Sequence, residues 1–225
     1  MILRVLQRVW ALHAADTVVV ATDSAEIASI VAAAGGQAIM TSPEHPSGTD
    51  RIAEVARRTE FRGYDAIVNV QGDEPFVSSA AVKGALGQVT QRGLALGTAA
   101  VRAKPDVLTS PDVVKVVTDD EGSALYFSRA PIPYLRDSAD AEERDARVLH
   151  HVGVYAYTPE SLEQWIALPT HPLERIERLE QLRPLAAGMR MGVAIIQGPL
   201  RPGIDTEADL ERANREWQTS TVMDD

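Results

Sequence analysis

The chain has 225 residues, which suits one domain, and its 45% of hydrophobic residues is enough for a sizeable core and excludes intrinsic disorder. It contains no cysteine, which excludes disulfides, thiol catalysis and cysteine-ligated metals. A formal net charge of -10 argues against a nucleic-acid partner, although a few arginines can still form a pocket for a small anionic substrate.

The first half of the chain alternates between strand and helix patterns. Strands are predicted at 17–22, 37–42 and 65–75, and helices at 23–36, 47–59 and 78–93. Before them, residues 1–16 form a charged amphipathic helix rather than a secretory signal, and no apolar stretch approaches the length of a membrane span. The alternation predicts an α/β protein with a mixed, mostly parallel sheet and helices on both faces. We expect a cytoplasmic protein without a membrane partner.

The second half is less regular. Strands are predicted at 95–102, 113–119, 124–135, 150–158 and 190–198, and helices at 161–168, 171–188 and 206–217. The helix at 171–188 is inferred from a single apolar stripe, and the last helix from a capping box of Thr206 and Asp209. We expect one domain over 1–225, with an exposed excursion near 130–150, where charged residues dominate.

The stretch "NVQGDEPFV" (69–77) brings a strand to an end at two carboxylates. In open α/β sheets, ligands bind at the carboxyl ends of strands, so Asp73 is placed to face one. A carboxylate there suits an oxygen-liganded cation such as Mg²⁺. Capping of a turn by Asp73 and Glu74 explains the presence of these two carboxylates equally well.

A second carboxylate, Asp205, lies just ahead of the capped helix in "GIDTEADL". Taken alone it is most simply explained as helix-capping chemistry, because a helix N-terminus favours an anion. Asp73 and Asp205 together suggest one shared metal ion. Phosphoryl and nucleotidyl transfer need such a cation to neutralise developing charge.

Other polar residues are candidates for substrate contacts, each with a structural alternative. In "HPSGTDR" (45–51), backbone N–H groups and hydroxyls of Ser47, Gly48 and Thr49 can grip a polar ligand, although a loop and helix cap suffice. Arg129 follows a strand pattern, and its planar fork suits a carboxylate or phosphate, although surface arginines are common.

Two further pairs are ambiguous in the same way. His151 and Tyr155 would share one face of a regular strand, and a buried, satisfied histidine is the alternative. Glu180 and Gln181 lie on the predicted helix at 171–188, where a solvated helix surface is the usual explanation.

The joint order of these motifs is more specific than any one of them. The run "SGTDR", "NVQGDEP", "VVKVV", "ALYFSRAPIPY", "HVGVYAY", "PLERIERLEQLR" and "GIDTEADL" closely resembles the 3-deoxy-manno-octulosonate cytidylyltransferases, or CMP-Kdo synthetases. The likeness extends from residue 2 to about residue 217. "NVQGDEP" is shared more widely among sugar-activating nucleotidyltransferases, whereas "ALYFSRAPIP" with "LEQLR" narrows the family.

The resemblance implies a Rossmann-like nucleotide-diphospho-sugar transferase fold, a homodimer, and transfer of CMP from CTP to the acidic sugar Kdo for lipopolysaccharide biosynthesis. It implies that Asp73 and Asp205 hold Mg²⁺ and that Arg129 completes the catalytic set by binding the sugar carboxylate. The implied sugar ligands are Gln71, Arg129, His151, Tyr155, Glu180 and Gln181, and the implied nucleotide ligands are Ser47, Gly48, Thr49 and Arg51.

The sequence departs from the family pattern in three places. His150 stands where a basic Arg or Lys is more usual, and Ala156 replaces a common glycine. The opening strand and basic phosphate loop of the family have no match, because the chain begins at the helix that should follow them. We therefore expect an internal start and weak or absent activity of the 225-residue chain.

Two other functions fit the same residues. The first is a cytidylyltransferase for another acidic sugar, such as a sialic acid, which a substrate panel separates. The second is an inactive sugar- or nucleotide-binding module, which the unmatched phosphate loop favours and the two aspartates disfavour.

Overall fold

The structure, a computed structural model, describes residues 1–198, 200–201, 203–204 and 206–219. The helices are α1 (Ile2–Leu12), α2 (Ala25–Ala33), α3 (Gly48–Ala56), α4 (Ser79–Thr90), α5 (Ala141–Asp145), α6 (Pro159–Ala167), α7 (Pro172–Glu177), α8 (Leu182–Ala186) and α9 (Glu207–Thr219). The strands are β1 (Val19–Thr22), β2 (Gln37–Met40), β3 (Ile67–Asn69), β4 (Leu96–Arg102), β5 (Lys115–Thr118), β6 (Ala124–Ser128), β7 (Leu149–Tyr157) and β8 (Met191–Ile196).

Helix starts follow the capping chemistry of the sequence. Side chains that accept a backbone N–H at these starts are Ser24, Ser47, Ser78 and Thr158. The capping box ahead of α9 is confirmed: Thr206 N–H donates to Asp209 Oδ2 over 3.0 Å, and Asp209 N–H donates to Thr206 Oγ1 over 3.2 Å.

The main sheet is mixed. Strand β7 pairs antiparallel with β3, β4 and β5, while β8 is parallel to β4 and β6 is antiparallel to β5. It follows that β3, β4, β5 and β8 run in one direction, and β6 and β7 run against them. The predicted fold class is therefore confirmed, with most hydrogen-bonded pairs antiparallel because β7 lies between strands of the opposite direction.

Helices cover both faces of this sheet, as predicted. Side chains alternate along β4, so Leu96 and Ala100 join a core with Tyr157 and Trp165 on one face, while Ala99 and Val101 join a second core with α4 on the other. Each face of the sheet thus has its own hydrophobic layer.

Strands β1 and β2 form a separate parallel pair. A cavity of about 790 Å³ lies beside this pair, and apolar side chains of α1, β1, β3 and α4 line much of it. Residues of both β1 and β3 line this cavity.

The predicted helix over 171–188 is wrong as a single element. It divides into α7 and α8, because Arg178 adopts a left-handed conformation with φ of 56°. The apolar stripe is real, since Leu179 and Leu182 are buried, but a stripe does not show where the backbone turns. Glu180 and Gln181 consequently lie in the connection between two short helices.

Between β6 and β7 the chain runs through a short 3-10 helix, Ser138–Asp140, and the five-residue α5. Most side chains from Pro131 to Ala146 are exposed or half-buried. Within the described residues, none of the helices is both long and apolar enough to cross a bilayer.

Candidate active site

The first wall of the site is the turn that follows β3. Asp73 lies four residues beyond the end of β3, and its carbonyl accepts the Ile204 N–H over 3.0 Å. A Cβ at Gly203 would lie 3.0 Å from Glu74 Oε1, so the two segments pack closely. Asp205, the predicted second carboxylate, follows Ile204 in the chain but lies outside the described residues.

The second wall is the start of α3. Ser47 caps this helix, accepting the Asp50 N–H over 3.2 Å and donating its hydroxyl to Asp50 Oδ2 over 2.6 Å. A Cβ at Gly48 would lie 3.7 Å from Gln71 Oε1, an ordinary contact distance, so the start of α3 is next to that amide. The start of α3 is thereby brought against the residues that follow β3.

Thr49 joins this wall to a third. Its hydroxyl donates to Glu180 Oε1 over 3.1 Å, across 131 positions of sequence. Thr49 itself is 1% exposed. Burial raises the pKa of Glu180, and the hydroxyls of Thr49 and Ser47 oppose part of that rise.

The break between α7 and α8 explains why Glu180 reaches the site. An ion pair braces the two helices: Arg183 Nε and Nη2 donate to the two carboxylate oxygens of Glu174 over 2.8 and 2.5 Å. Both side chains are almost buried, at 8% and 11% exposure. Burial opposes ionisation of Glu174, but the Arg183 hydrogen bonds and charge outweigh it, so the pKa of Glu174 is lowered.

The fourth wall is β7. The rings of His151 and Tyr155 lie with centroids 5.5 Å apart, which agrees with the prediction that they share a face. Burial raises the pKa of Tyr155 well above its usual value, and the negative charge of Glu180 adds to the effect. Burial lowers the pKa of His151 to about 3, so its ring is neutral at physiological pH.

Arg129 lies at the end of β6, as predicted, but its hydrogen bonds are to other parts of the protein framework. Its Nε donates to the Glu177 carbonyl and its Nη1 to the Pro111 carbonyl, each over 3.0 Å. Its backbone N–H donates to Glu177 Oε2 over 3.0 Å. Nearby, the fully buried Lys115 ammonium donates to the carbonyls of Ser110 and Arg129.

Arg51 also has structural partners. Its Nη1 donates to Thr41 Oγ1 over 2.6 Å, and its Nη2 lies 3.4 Å from Asp23 Oδ2. It therefore ties α3 to the segments that follow β1 and β2. Ser47 therefore caps α3, and Arg51 braces it. Capping was the simpler explanation that the sequence offered for Ser47.

Several buried polar atoms near these walls have no hydrogen-bond partner among the described residues. They are Asn69 Nδ2, Tyr157 Oη, Trp165 Nε1 and Gln181 Nε2. Leaving such groups unpaired costs free energy, so they are candidates for contacts with a bound polar molecule or water. Of these, the sequence analysis had selected only Gln181.

The structure thus brings together Gln71, Gly48, Thr49 and Glu180 by direct proximity, and His151 with Tyr155. The hydrogen bonds of Arg129 and Arg51 go instead to other residues. The sequence missed Thr98, Asn69, Lys115 and Glu177. A polar residue inside an apolar strand was the signal for Thr98, Asn69 and Lys115, whereas nothing local marked Glu177.

A resident metal needs oxygen ligands here. Among the described residues, no group of three or more His, Cys, Asp or Glu side chains is positioned to hold an ion. Asp205 lies outside those residues. The Ile204 N–H donates to the Asp73 carbonyl, so the residue that precedes Asp205 in the sequence contacts the turn that carries Asp73.

A sequence model of the cytidylyltransferase family matches residues 1–191. The chain is 54% identical over 216 residues to the 3-deoxy-manno-octulosonate cytidylyltransferase of Gemmatimonas aurantiaca, covering 96% of this chain and 83% of that protein. It is 48% identical over 222 residues to the protein of the same name from Xanthomonas campestris, covering 95% of this chain and 87% of the relative.

Solved structures agree. CMP:2-keto-3-deoxy-manno-octonic acid synthetase complexed with CTP aligns with a TM-score of 0.87 and 37% identity, over 97% of this chain and 87% of that one. The 4-diphosphocytidyl-2C-methyl-D-erythritol synthase of Anaerococcus prevotii aligns with a TM-score of 0.60 and 15% identity, over 96% of this chain and 87% of that one. The second likeness shows the shared fold alone.

Proposed function

The chain belongs to the 3-deoxy-manno-octulosonate cytidylyltransferase family, and from this premise we propose that it transfers CMP from CTP to Kdo and releases pyrophosphate. The observation that carries the proposal is the 54% identity to a relative of that name over 96% of the chain. The cluster of Gln71, Thr49 and Glu180 with nearby unpaired amides supports it, because these groups suit a polyhydroxylated substrate.

The reaction forms one bond and breaks one. The anomeric hydroxyl oxygen of the sugar attacks the α-phosphorus of CTP, the bond from that phosphorus to the bridging oxygen breaks, and pyrophosphate leaves. The hydroxyl proton is lost to solvent or to a nearby base. The chain itself has little covalent chemistry to perform, so its residues act by binding and positioning.

We assign the sugar to the pocket between α3, β7 and the α7–α8 connection. Glu180 is held by Thr49 and accepts sugar hydroxyls, as an ionised carboxylate does. Gln71 and Gln181 offer amide donors and acceptors, and the Gln181 amide nitrogen is buried without a protein partner. Tyr155 and His151 form the floor.

Arg129 remains our proposed partner for the sugar carboxylate. Its Nε and Nη1 are anchored on carbonyls, which orients the planar guanidinium and leaves Nη2 as the donor for a substrate. The nucleotide is assigned to the side of Ser47, Gly48, Thr49 and Arg51. There Gly48 lies beside the Gln71 amide, while Ser47 and Arg51 hold the local backbone in place.

We assign Mg²⁺ to Asp73 and Asp205. The ion would offset negative charge on the CTP phosphates, which is the chemistry that nucleotidyl transfer requires. Asp73 is carried by a turn that is fixed to Ile204, and Asp205 is the next residue along the chain. Replacement of either aspartate by asparagine should abolish the dependence of activity on Mg²⁺ concentration.

We further propose a cytoplasmic homodimer that supplies lipopolysaccharide biosynthesis. The dimer is supported by exposed apolar side chains near β6 and α7: Leu125, Tyr134 and Ile176 are 59%, 81% and 77% exposed. Glu177, the neighbour of Ile176, accepts the Ser128 hydroxyl over 2.6 Å, so the α7 end lies beside β6.

The test is an assay of pyrophosphate release from CTP with Mg²⁺ and a panel of acidic sugars. We expect any turnover to require Kdo, with little from a sialic acid, and to be lost in Asp73→Asn. Turnover with the sialic acid alone would overturn the sugar assignment. Calorimetric binding of CTP or Kdo without turnover would favour an inactive module.

A further inference from the structure

Thr98 lies on β4 and is completely buried, yet it takes no part in the sugar pocket described above. Its hydroxyl oxygen lies 2.9 Å from His151 Nε2, 2.8 Å from the Val154 carbonyl and 3.3 Å from the Val152 carbonyl. One hydroxyl thus faces two backbone acceptors and one imidazole nitrogen in the interior of the sheet.

The local backbone explains this crowding. Thr98 pairs with Tyr155 and the next residue, Ala99, pairs with Val152, so β7 carries two extra residues opposite one step of β4. A bulge of this kind leaves carbonyls outside the regular ladder and re-aims side chains. The Thr98 hydroxyl lies closest to one of the released carbonyl oxygens, that of Val154, and the bulge separates His151 from Tyr155 along β7.

Only one placement of the hydrogen atoms is consistent with the contacts of this cluster. A hydroxyl has one proton, and a carbonyl oxygen can only accept. The short contact with Val154 therefore needs the Thr98 proton, because two oxygens without a proton between them at 2.8 Å repel. The hydroxyl oxygen is then left to accept, so His151 Nε2 must donate its own N–H to it.

We propose that Thr98 is a positioning residue that fixes His151 in the tautomer with a protonated Nε2 and a bare Nδ1, which accepts a hydrogen bond from a hydroxyl of the sugar acid. The sugar half of this inference rests on the function proposed above. Nδ1 has no hydrogen-bond partner among the described residues, and the ring is held between Phe127, at 4.9 Å, and Tyr155, at 5.5 Å.

The consequence is specificity for a hydroxyl at that point of the substrate. A bare Nδ1 pairs with a donor and repels an acceptor, so an analogue in which that hydroxyl is replaced by hydrogen or an ether oxygen loses affinity. Because burial keeps the ring neutral, the acceptor persists across the physiological pH range.

The direct test is NMR of the unmodified chain labelled with nitrogen-15 in its five histidines, with His151 assigned by its loss in His151→Asn. We expect long-range proton–nitrogen correlations that show a protonated Nε2 and an unprotonated Nδ1. A protonated Nδ1, or an averaged pattern from both tautomers, would overturn the assignment. This spectrum needs no substrate, so it is independent of the proposed function.

Two variants test the cause. Thr98→Val keeps the shape but removes the hydroxyl, and should give averaged tautomers and a KM for Kdo raised about tenfold, with KM for CTP unchanged. Thr98→Ser restores the hydroxyl and should restore the single tautomer and the KM. An unchanged His151 spectrum in a folded Thr98→Val would refute the role of Thr98.

Kdo titration of the unmodified chain tests the ligand contact. We expect the Nδ1 resonance to shift as it accepts a hydrogen bond, while Nε2 stays in place. A single tautomer whose Nδ1 resonance does not move in a chain that binds Kdo would refute the substrate contact, and absence of Kdo binding altogether would instead refute the proposed function.

Discussion

At the scale of single residues, the site contains ionisable groups whose surroundings oppose their charge. Glu180 is largely buried beside two tyrosines, and burial raises its pKa. A carboxylate kept there at neutral pH costs folding free energy, which suggests that it is present for binding rather than for stability. Thr49 reduces that cost by donating a hydrogen bond.

We expect Glu180→Gln to be more stable than the unmodified chain at pH 7 but defective in sugar binding. Because the carboxyl pKa of Glu180 is raised in the folded chain, the contribution of Glu180 to stability is complete below the unfolded pKa of 4.5. That contribution is lost as pH rises through the folded pKa. The stability difference should therefore shrink toward pH 4.5 in denaturant titrations, while KM for Kdo rises about tenfold or more at pH 7.

The matched control is Glu160→Gln, on the exposed start of α6. It should change neither stability nor KM. Equal destabilisation of Glu180→Gln at pH 4.5 and pH 7 would contradict the electrostatic account.

His151 makes the fold sensitive to acid. Its pKa is lowered by burial from 6.5 to about 3, so the unfolded chain binds a proton that the folded chain refuses. The contribution of His151 to the free energy of unfolding is complete above pH 6.5 and falls as pH drops toward 3. At about 1.4 kcal/mol per pH unit for one group, we expect His151 to contribute a loss of about 2 kcal/mol between pH 7.5 and pH 5.

Urea denaturation at the two pH values measures this loss. His151→Asn should flatten the pH dependence, whatever its effect on absolute stability. The exposed His13, whose left-handed backbone asparagine tolerates, provides the control His13→Asn. If the control flattens the profile as much as His151→Asn does, the assignment is wrong.

At the scale of elements, the break between α7 and α8 shapes the sugar pocket. Glu174 does two jobs: it accepts the His171 N–H at the start of α7 and receives both hydrogen bonds from Arg183 on α8. The two short helices are thereby held on either side of Glu180 and Gln181. Neither helix is long enough to be stable by itself.

We expect Arg183→Met to lower the free energy of unfolding by about 3 kcal/mol, because it leaves the nearly buried Glu174 carboxylate without its partner. Displacement of the α7–α8 connection should also raise KM for Kdo more than KM for CTP. Denaturant titration and steady-state kinetics measure the two effects.

The control is Arg57→Met, which removes another two-point pair with a glutamate, Glu163. The Arg57 and Glu163 side chains are 59% and 45% exposed, so the free energy of unfolding should fall by less than about 1 kcal/mol. Similar losses in both variants would show that burial of the Arg183 pair is not what matters.

At the scale of the whole molecule, one sheet carries two hydrophobic layers, and the site lies where several connections meet. Lys115 is central to this assembly. Its ammonium lies inside the protein and binds the carbonyls of Ser110, Val113 and Arg129, which joins β5 to the segment before it and to the end of β6.

We expect Lys115→Met to lower the free energy of unfolding by about 3 kcal/mol, since three partly buried carbonyls lose a donor at about 1 kcal/mol each. The activity of any folded fraction should fall through Arg129, whose carbonyl Lys115 binds. Lys83→Met, at an exposed position of α4, should leave both unchanged. A loss below about 1 kcal/mol in Lys115→Met would contradict this role.

By itself, the sequence determined the elements and the family. Local signals suffice for these: alternating apolar patterns located all eight strands among the described residues, and hydroxyl caps marked the starts of α3 and α9. The motif order also supplied the residues that we propose for the pocket, since those residues are tied to particular positions after strands.

Only the tertiary structure decided what these residues touch. The Thr49–Glu180 bond spans 131 positions and the Thr98–His151 contact spans 53, so no local pattern encodes them. The apolar stripe over 171–188 concealed the turn at Arg178, because burial periodicity continues through a break when both segments cover the same core. Likewise, only the structure showed that the Arg129 guanidinium is held by carbonyls from other parts of the chain.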